Sequence, residues 1–215
     1  MLKLRQKDWG AGLLLIAIDA IDKKMTAAVE VQKGGKGKIT EDIVLPDGIT
    51  ASVSGRIIAL KGPKGETSRK ISAANLTVTV SGNKVLIESG SDGKKEKTLV
   101  GSMRAHLVNM VKGVRDGHAY RMKVCFTHFP ITVTVAGNQL LVKNFLGEKT
   151  PRKIELPANV KVKVEGADIT IESSDKEIAG KTAAAIEQIT KRANYDKRVF
   201  GDGIYITVKD SKEIK

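Results

Sequence analysis

Leu76-Thr77-Val78-Thr79-Val80 alternates apolar and polar residues one by one, and Val160-Lys161-Val162-Lys163-Val164 repeats the alternation 84 positions later. A period of two puts every second side chain on the same face, so both segments read as strands with one buried face. Ser81-Gly82-Asn83 and Glu165-Gly166-Ala167-Asp168 follow them, turn chemistry that folds each strand back as a hairpin. The period then lengthens. Leu99, Met103, Leu107, Met110, Val111 and Val114 form one helical stripe. Ile178, Ala185, Ile186, Ile189 and Ala193 form another, behind a capping box at Ser174 and Glu177. Each helix is followed by an Asp-Gly pair, Asp116-Gly117 or Asp202-Gly203, and then by a last strand.

These patterns are two copies of one. "ITASVSGRIIALKGPKGE" at 49–66 lies over "ITVTVAGNQLLVKNFLGE" at 131–148, and Ile49, Thr50, Val53, Gly55, Lys61, Gly65 and Glu66 meet identical residues. "NLTVTVSGNKVLIES" at 75–89 lies over "NVKVKVEGADITIES" at 159–173 in the same order. Gly101 and Ala105 then pair with Gly180 and Ala184. Offsets that drift by a few residues mark a duplicated domain with small loop insertions, and the period is far longer than that of solenoid repeats. The fold expected is α+β: two tandem homologous domains, each an antiparallel sheet with one helix packed on it. The boundaries expected are an N-terminal extension at 1–39, a first repeat at 40–124, a second at 125–209 and a short tail at 210–215.

Composition adds a partner class. Thirty-seven Lys and Arg stand against 24 Asp and Glu, a formal +13, with an isoelectric point near 9.7. Such an excess draws polyanions, because each phosphate neutralised releases condensed counterions. No Lys-rich amphipathic helix with Trp or Phe on its other face favours a membrane surface. Aromatics make up only 4% of the chain, so Val, Ile, Leu and Ala must build the core. Cys125 is the single cysteine, which excludes an internal disulfide. The apolar run Leu13–Ile18 is too short to span a bilayer, is followed by Asp19 and Asp22, and has no small-x-small cleavage site. Met25 opens a more ordinary N-terminus and is expected to be the native start.

A search for chemistry leaves little. Cys125 and His128 have C-x-x-H spacing, but no second pair completes a zinc site, and strand alternation sets the two on opposite faces. A Cys–His nucleophile pair fails on the same geometry. His106 and His118 stand apart from them. Gly180-Lys181-Thr182 resembles the end of a P-loop, yet Asp175 sits where its first glycine belongs. Gly34-Gly35-Lys36-Gly37 reads as a solvated linker. No enzyme, cofactor, metal or small-molecule substrate is expected. A nucleic-acid-processing enzyme would need convergent acids or a metal cluster. The alternative from another class is a protein-interaction or assembly module whose basic face is incidental.

Lys94, Lys95 and Lys97 before the first helix, and Lys61, Lys64, Arg69 and Lys70 in a glycine-containing loop, are basic clusters of the first repeat. Three longer strings go beyond charge: "NMVKGVRDGHAYRMKVCFTHFPI" (109–131), "VKNFLGEKTPRKI" (142–154) and "KRVFGDGIYITVK" (197–209). They resemble the L-six family of large-subunit ribosomal proteins in its archaeal and eukaryotic form, over about residues 40–209. The short tail "KDSKEIK" sets the chain apart from the bacterial branch, whose tail is longer and more basic. The resemblance implies two α+β domains made by duplication and a cytoplasmic ribonucleoprotein that supports translation. Its partners would be large-subunit (23S-type) rRNA near the sarcin–ricin loop and stalk base, neighbouring stalk-base proteins, and translational GTPases close by. No membrane or small molecule enters. Most RNA contact would fall to the second domain. On the matching positions the implied RNA-binding residues are Lys143, Asn144, Lys149, Arg152 and Lys153, then Lys197 and Arg198, with Arg121 and Lys123. Lys would pair with phosphate and Arg would bind phosphate or a base edge through two bonds. Gly147, Gly201 and Gly203 would admit a close backbone or a tight turn. Phe145 and Phe200 fit either the core or a stacked base.

Overall fold

The computed structural model describes residues 38–71, 75–192, 194, 196, 198–210 and 212–214. Met25, the tract at 34–37, Ala193 and Lys197 lie outside them. Among the described residues the chain runs β1 (Thr40–Val44), β2 (Thr50–Ser54), β3 (Ile57–Gly62), β4 (Gly65–Lys70), β5 (Leu76–Ser81), β6 (Lys84–Ser89) and α1 (Lys94–Arg115). It continues as β7 (His118–Cys125), β8 (Thr132–Ala136), β9 (Gln139–Lys143), β10 (Arg152–Glu155), β11 (Val160–Glu165), β12 (Asp168–Ser173), α2 (Lys176–Ile189), β13 (Gly203–Lys209) and β14 (Lys212–Glu213). No described helix is long and apolar enough to cross a membrane.

The architecture is α+β and duplicated. One sheet has the order β1-β6-β5 and its counterpart contains β7-β12-β11; β2-β3-β4 is matched by β10-β9-β8. The hairpins carry the signature of the duplication. Gly55 and Gly137 open two-residue turns at φ 60°, and Gly82 and Gly166 do so at 58° and 63°. A side chain is strained there, so the repeated glycines are a backbone requirement.

The described residues form two compact units, one from those up to Ile58 and within 69–106, the other from Ala59–Ser68 and those from Leu107 onward. The expected boundaries place residues 118–124 in the first repeat, as the strand that follows an Asp-Gly turn. In the structure β7 is the central strand of the five-stranded sheet β11-β12-β7-β13-β14. Its antiparallel partners run from Asp168↔Lys123 to Ser173↔His118 on one side and from Gly203↔Cys125 to Lys209↔Tyr120 on the other. Alternation identifies a strand but not its neighbours.

Within the second unit, α2 packs on β12, β7 and β13. Met122, Leu140, Ile169, Ile171, Ile186 and Ile204 are fully buried there, each burial contributing about 1.5–3 kcal/mol. The helical stripes also shift by one. In α1, Val100 is buried and Leu99 is exposed, because Val100 continues the line of Met103, Leu107, Met110 and Val114. In α2 the buried face is Ala179, Thr182, Ala183 and Ile186, and the helix ends at Ile189. Its N-cap is Asp175, which accepts a hydrogen bond from the Glu177 amide at 2.8 Å. Ser174, expected to cap, donates to the Glu66 carbonyl instead. Asp175→Ala is therefore expected to cost about 1 kcal/mol, read as a lower urea midpoint, whereas Ser174→Ala should cost less.

A polar cluster fastens the last strand of this unit. The ring of His118, 1% exposed, bonds through Nδ1 to Asp210 Oδ1 at 2.9 Å and through Nε2 to the Asn109 carbonyl at 3.0 Å. Both are acceptors, so the ring makes both bonds only when it carries two N–H groups. Lys112 and Lys176 each reach Asp210 Oδ2 at 3.7 Å. Burial alone would raise the Asp210 carboxyl, but the His118 hydrogen bond and the charges of His118, Lys112 and Lys176 outweigh it and hold it below its ordinary value.

Candidate nucleic-acid interface

Three connections meet at one end of the second unit: residues 126–131 after β7, 144–151 after β9, and the described residues of 190–202 before β13. Side chains tie them together. The Thr127 amide donates to Asp202 Oδ1, and Asn144 Nδ2 donates to the Pro130 carbonyl at 3.1 Å. The His128 and Phe200 rings lie 5.5 Å apart, tilted by 37°. A Cβ on Gly147 would sit 3.6 Å from the Phe129 ring.

The 144–147 turn is strained. Asn144 (φ 59°), Leu146 (φ 50°) and Gly147 (φ 76°) all adopt left-handed backbone, which for Leu146 costs of order 1–3 kcal/mol. Packing holds it there. Phe145 is 1% exposed, and the Arg152 guanidinium lies 4.4 Å above its ring. Arg152 binds Glu148 through two bonds, at 2.8 and 2.7 Å, and donates its third nitrogen to the Ile189 carbonyl at the end of α2. Arg192 adds a 3.2 Å bond to Glu148. The Arg152 hydrogen bond foremost, against partial burial and with both arginine charges, keeps the Glu148 carboxyl below its ordinary value.

The expected RNA-binding residues thus separate into groups. Lys143 is exposed at the end of β9, Lys149 and Arg198 are exposed on these connections, Lys153 is exposed on β10, and Gly147 is exposed at the turn. Asn144 orients its loop. Arg152 is occupied inside the protein. Gly203 is buried as the first residue of β13, where a Cβ would lie 3.2 Å from the Tyr205 ring, and Gly201 is half-buried beside it. Arg121 and Lys123 are not gathered with the loops. They alternate with buried Tyr120, Met122 and Val124 along β7 and so occupy the outer sheet face. Lys197 lies outside the described residues. In the first unit, Arg69 bonds His106 at 3.0 Å.

The arrangement offers cations and aromatic rings, not a nucleophile. Among the described residues no group of three or more His, Cys, Asp or Glu could hold a metal. Cys125 closes β7 while His128 lies in the next loop against Phe200. Sequence reasoning missed Phe126, Phe129, Asp202 and Glu148. Its available signal was "CFTHFP", two phenylalanines in a turn between strands of a chain with four.

A family profile described as Ribosomal protein L6 matches residues 45–117 and 129–203. The large ribosomal subunit protein uL6 of Methanobrevibacter smithii is 41% identical over 172 residues, covering 80% of this chain and 97% of the relative. That of Sulfurisphaera tokodaii is 41% identical over 171 residues, 79% of this chain and 92% of the relative. The Ignicoccus hospitalis protein of the same name is 43% identical over 171 residues, 77% and 92%.

Proposed function

The chain belongs to the ribosomal protein L6 family, and on that premise we propose that it is built into the large ribosomal subunit by binding 23S-type rRNA through the loop end of its second unit. The RNA proposed is that near the sarcin–ricin loop and stalk base, with stalk-base proteins as neighbours and translational GTPases docking close by. The reading rests chiefly on how charge is distributed at that end. Glu148 is neutralised by Arg152 and Arg192, Asp202 is buried, and Asp196 accepts from the Arg198 amide at 2.9 Å. Glu148 and Asp202 are engaged within the protein, and exposed Lys143, Lys149 and Arg198 outnumber Asp196, the one exposed acid among the described residues of these connections, so a phosphate meets a net positive surface. A strained loop held rigid by its neighbours supports the same reading, since order achieved before binding lowers its entropic cost.

Lys143→Ala, Lys149→Ala and Arg198→Ala should each weaken binding to large-subunit rRNA several-fold. Each should also lower the slope of log affinity against log salt by roughly 0.7–0.9, without moving the urea midpoint. Filter binding across a salt series reads both. Intact, folded protein that ignores this RNA at low ionic strength overturns the proposal, and salt-insensitive capture by a protein partner would replace it.

A further inference from the structure

The chain has four phenylalanines, and only Phe145 is in the core. Phe126, Phe129 and Phe200 are 51%, 46% and 37% exposed. Single exposed apolar residues are ordinary, but these three, with the His128 ring, come from two loops joined by the Thr127–Asp202 hydrogen bond. Beside Phe200 opens a cleft of about 280 Å³, whose walls include Phe145, Thr190, Phe200, Asp202 and Tyr205. Asp202 is 6% exposed, and while Oδ1 accepts the Thr127 amide, Oδ2 has no hydrogen-bond partner among the described residues. A buried acceptor left unsatisfied is costly and asks for a donor.

We propose that this cleft takes one unpaired nucleobase of the bound rRNA, stacked on Phe200, with an amino group of its edge donating to Asp202 Oδ2. The inference rests on the RNA-binding reading above and adds what the cations cannot supply. Phosphate contacts carry no sequence information, whereas a stacked base with one bonded edge does. An RNA rather than a protein side chain is the favoured occupant because exposed Arg198 lies two residues from Phe200, and exposed Lys143 adjoins the Asn144 that braces the 126–131 loop. Aromatic faces beside cations that can follow a backbone are how single-stranded nucleic acid is held. Adenine and cytosine carry an exocyclic amino group; uracil does not.

The test uses the full chain with large-subunit rRNA and with short oligo(A), oligo(C) and oligo(U). Phe200→Leu keeps an apolar residue at a half-exposed site and should fold normally, yet should bind rRNA about tenfold more weakly with an unchanged salt slope. In Asp202→Asn the Thr127 amide still needs an oxygen, so the new NH2 group would face the cleft. The preference of the natural protein for oligo(A) and oligo(C) over oligo(U) should then shrink or reverse. If rRNA binding persists but Phe200→Leu and Asp202→Asn change neither affinity nor base preference, the cleft proposal falls and the RNA-binding reading stands. Loss of binding to a ribosomal protein with RNA affinity intact would likewise overturn it. If the unaltered chain binds no rRNA at low salt, both fall.

Discussion

His118→Ala should destabilise the second unit by about 3–4 kcal/mol, lowering the melting temperature by about 10 °C for a chain of this size. The substitution empties a fully buried site and removes both ring hydrogen bonds at once. It also takes the 2.9 Å ring hydrogen bond away from Asp210, whose side chain is only 11% exposed. Because the two residues act as a pair, His118→Ala with Asp210→Ala should cost clearly less than the sum of the single changes. Additive losses would show that the two do not depend on each other. The pH dependence has a definite sign. The folded carboxyl of Asp210 lies below its unfolded value, so its contribution is complete above the ordinary carboxylate range and is lost as pH falls through the folded value. Urea unfolding from neutral pH down to about pH 3 should show Asp210→Asn less stable at neutral pH and less sensitive to acid across that window.

Arg152→Lys is expected to be nearly as damaging as Arg152→Ala, at about 2–3 kcal/mol each. An ammonium cannot make both hydrogen bonds to Glu148, reach the Ile189 carbonyl and cover the Phe145 ring together. The left-handed turn at 144–147 would loosen, and RNA affinity would fall through loss of order rather than loss of charge. The salt slope of Arg152→Lys should therefore match that of the natural chain. A fully stable Arg152→Ala with a reduced slope would return Arg152 to the RNA contact that the family resemblance implies. Glu148, held below its ordinary value mainly by the Arg152 hydrogen bond, should titrate higher in either variant.

What could be foreseen from the residues, and what could not, divides along chain distance. The hairpins were legible because Gly82 and Gly166 sit between alternating strands, and alternation and turn are both local. So were the exposed cations, since Lys beside Gly in a loop has nowhere to be buried. The cap of α2 was misplaced by one residue because Ser174 and Asp175 are both capping types, and the side-chain contact to Glu66, 108 positions away, occupies the first. The task of Arg152 was hidden for the same reason. Its partner Glu148 is four residues back on a turn rather than a helix, and the Ile189 carbonyl is 37 residues on. The exposed phenylalanines are visible as letters, but only the folded chain brings residues 127–128 against Phe200 and Asp202.

The central place of β7 sets the order in which this unit can be finished. By sequence it ends the first copy, as β13 ends the second; by hydrogen bonding it stands to β12 as β1 stands to β6. It is synthesised well before either neighbour, and β13 completes it only with residues 203–209. Until those emerge, the strand has a bare edge open to foreign pairing. A chain stalled or clipped before Gly203 would then be a sticky fragment rather than a smaller working protein.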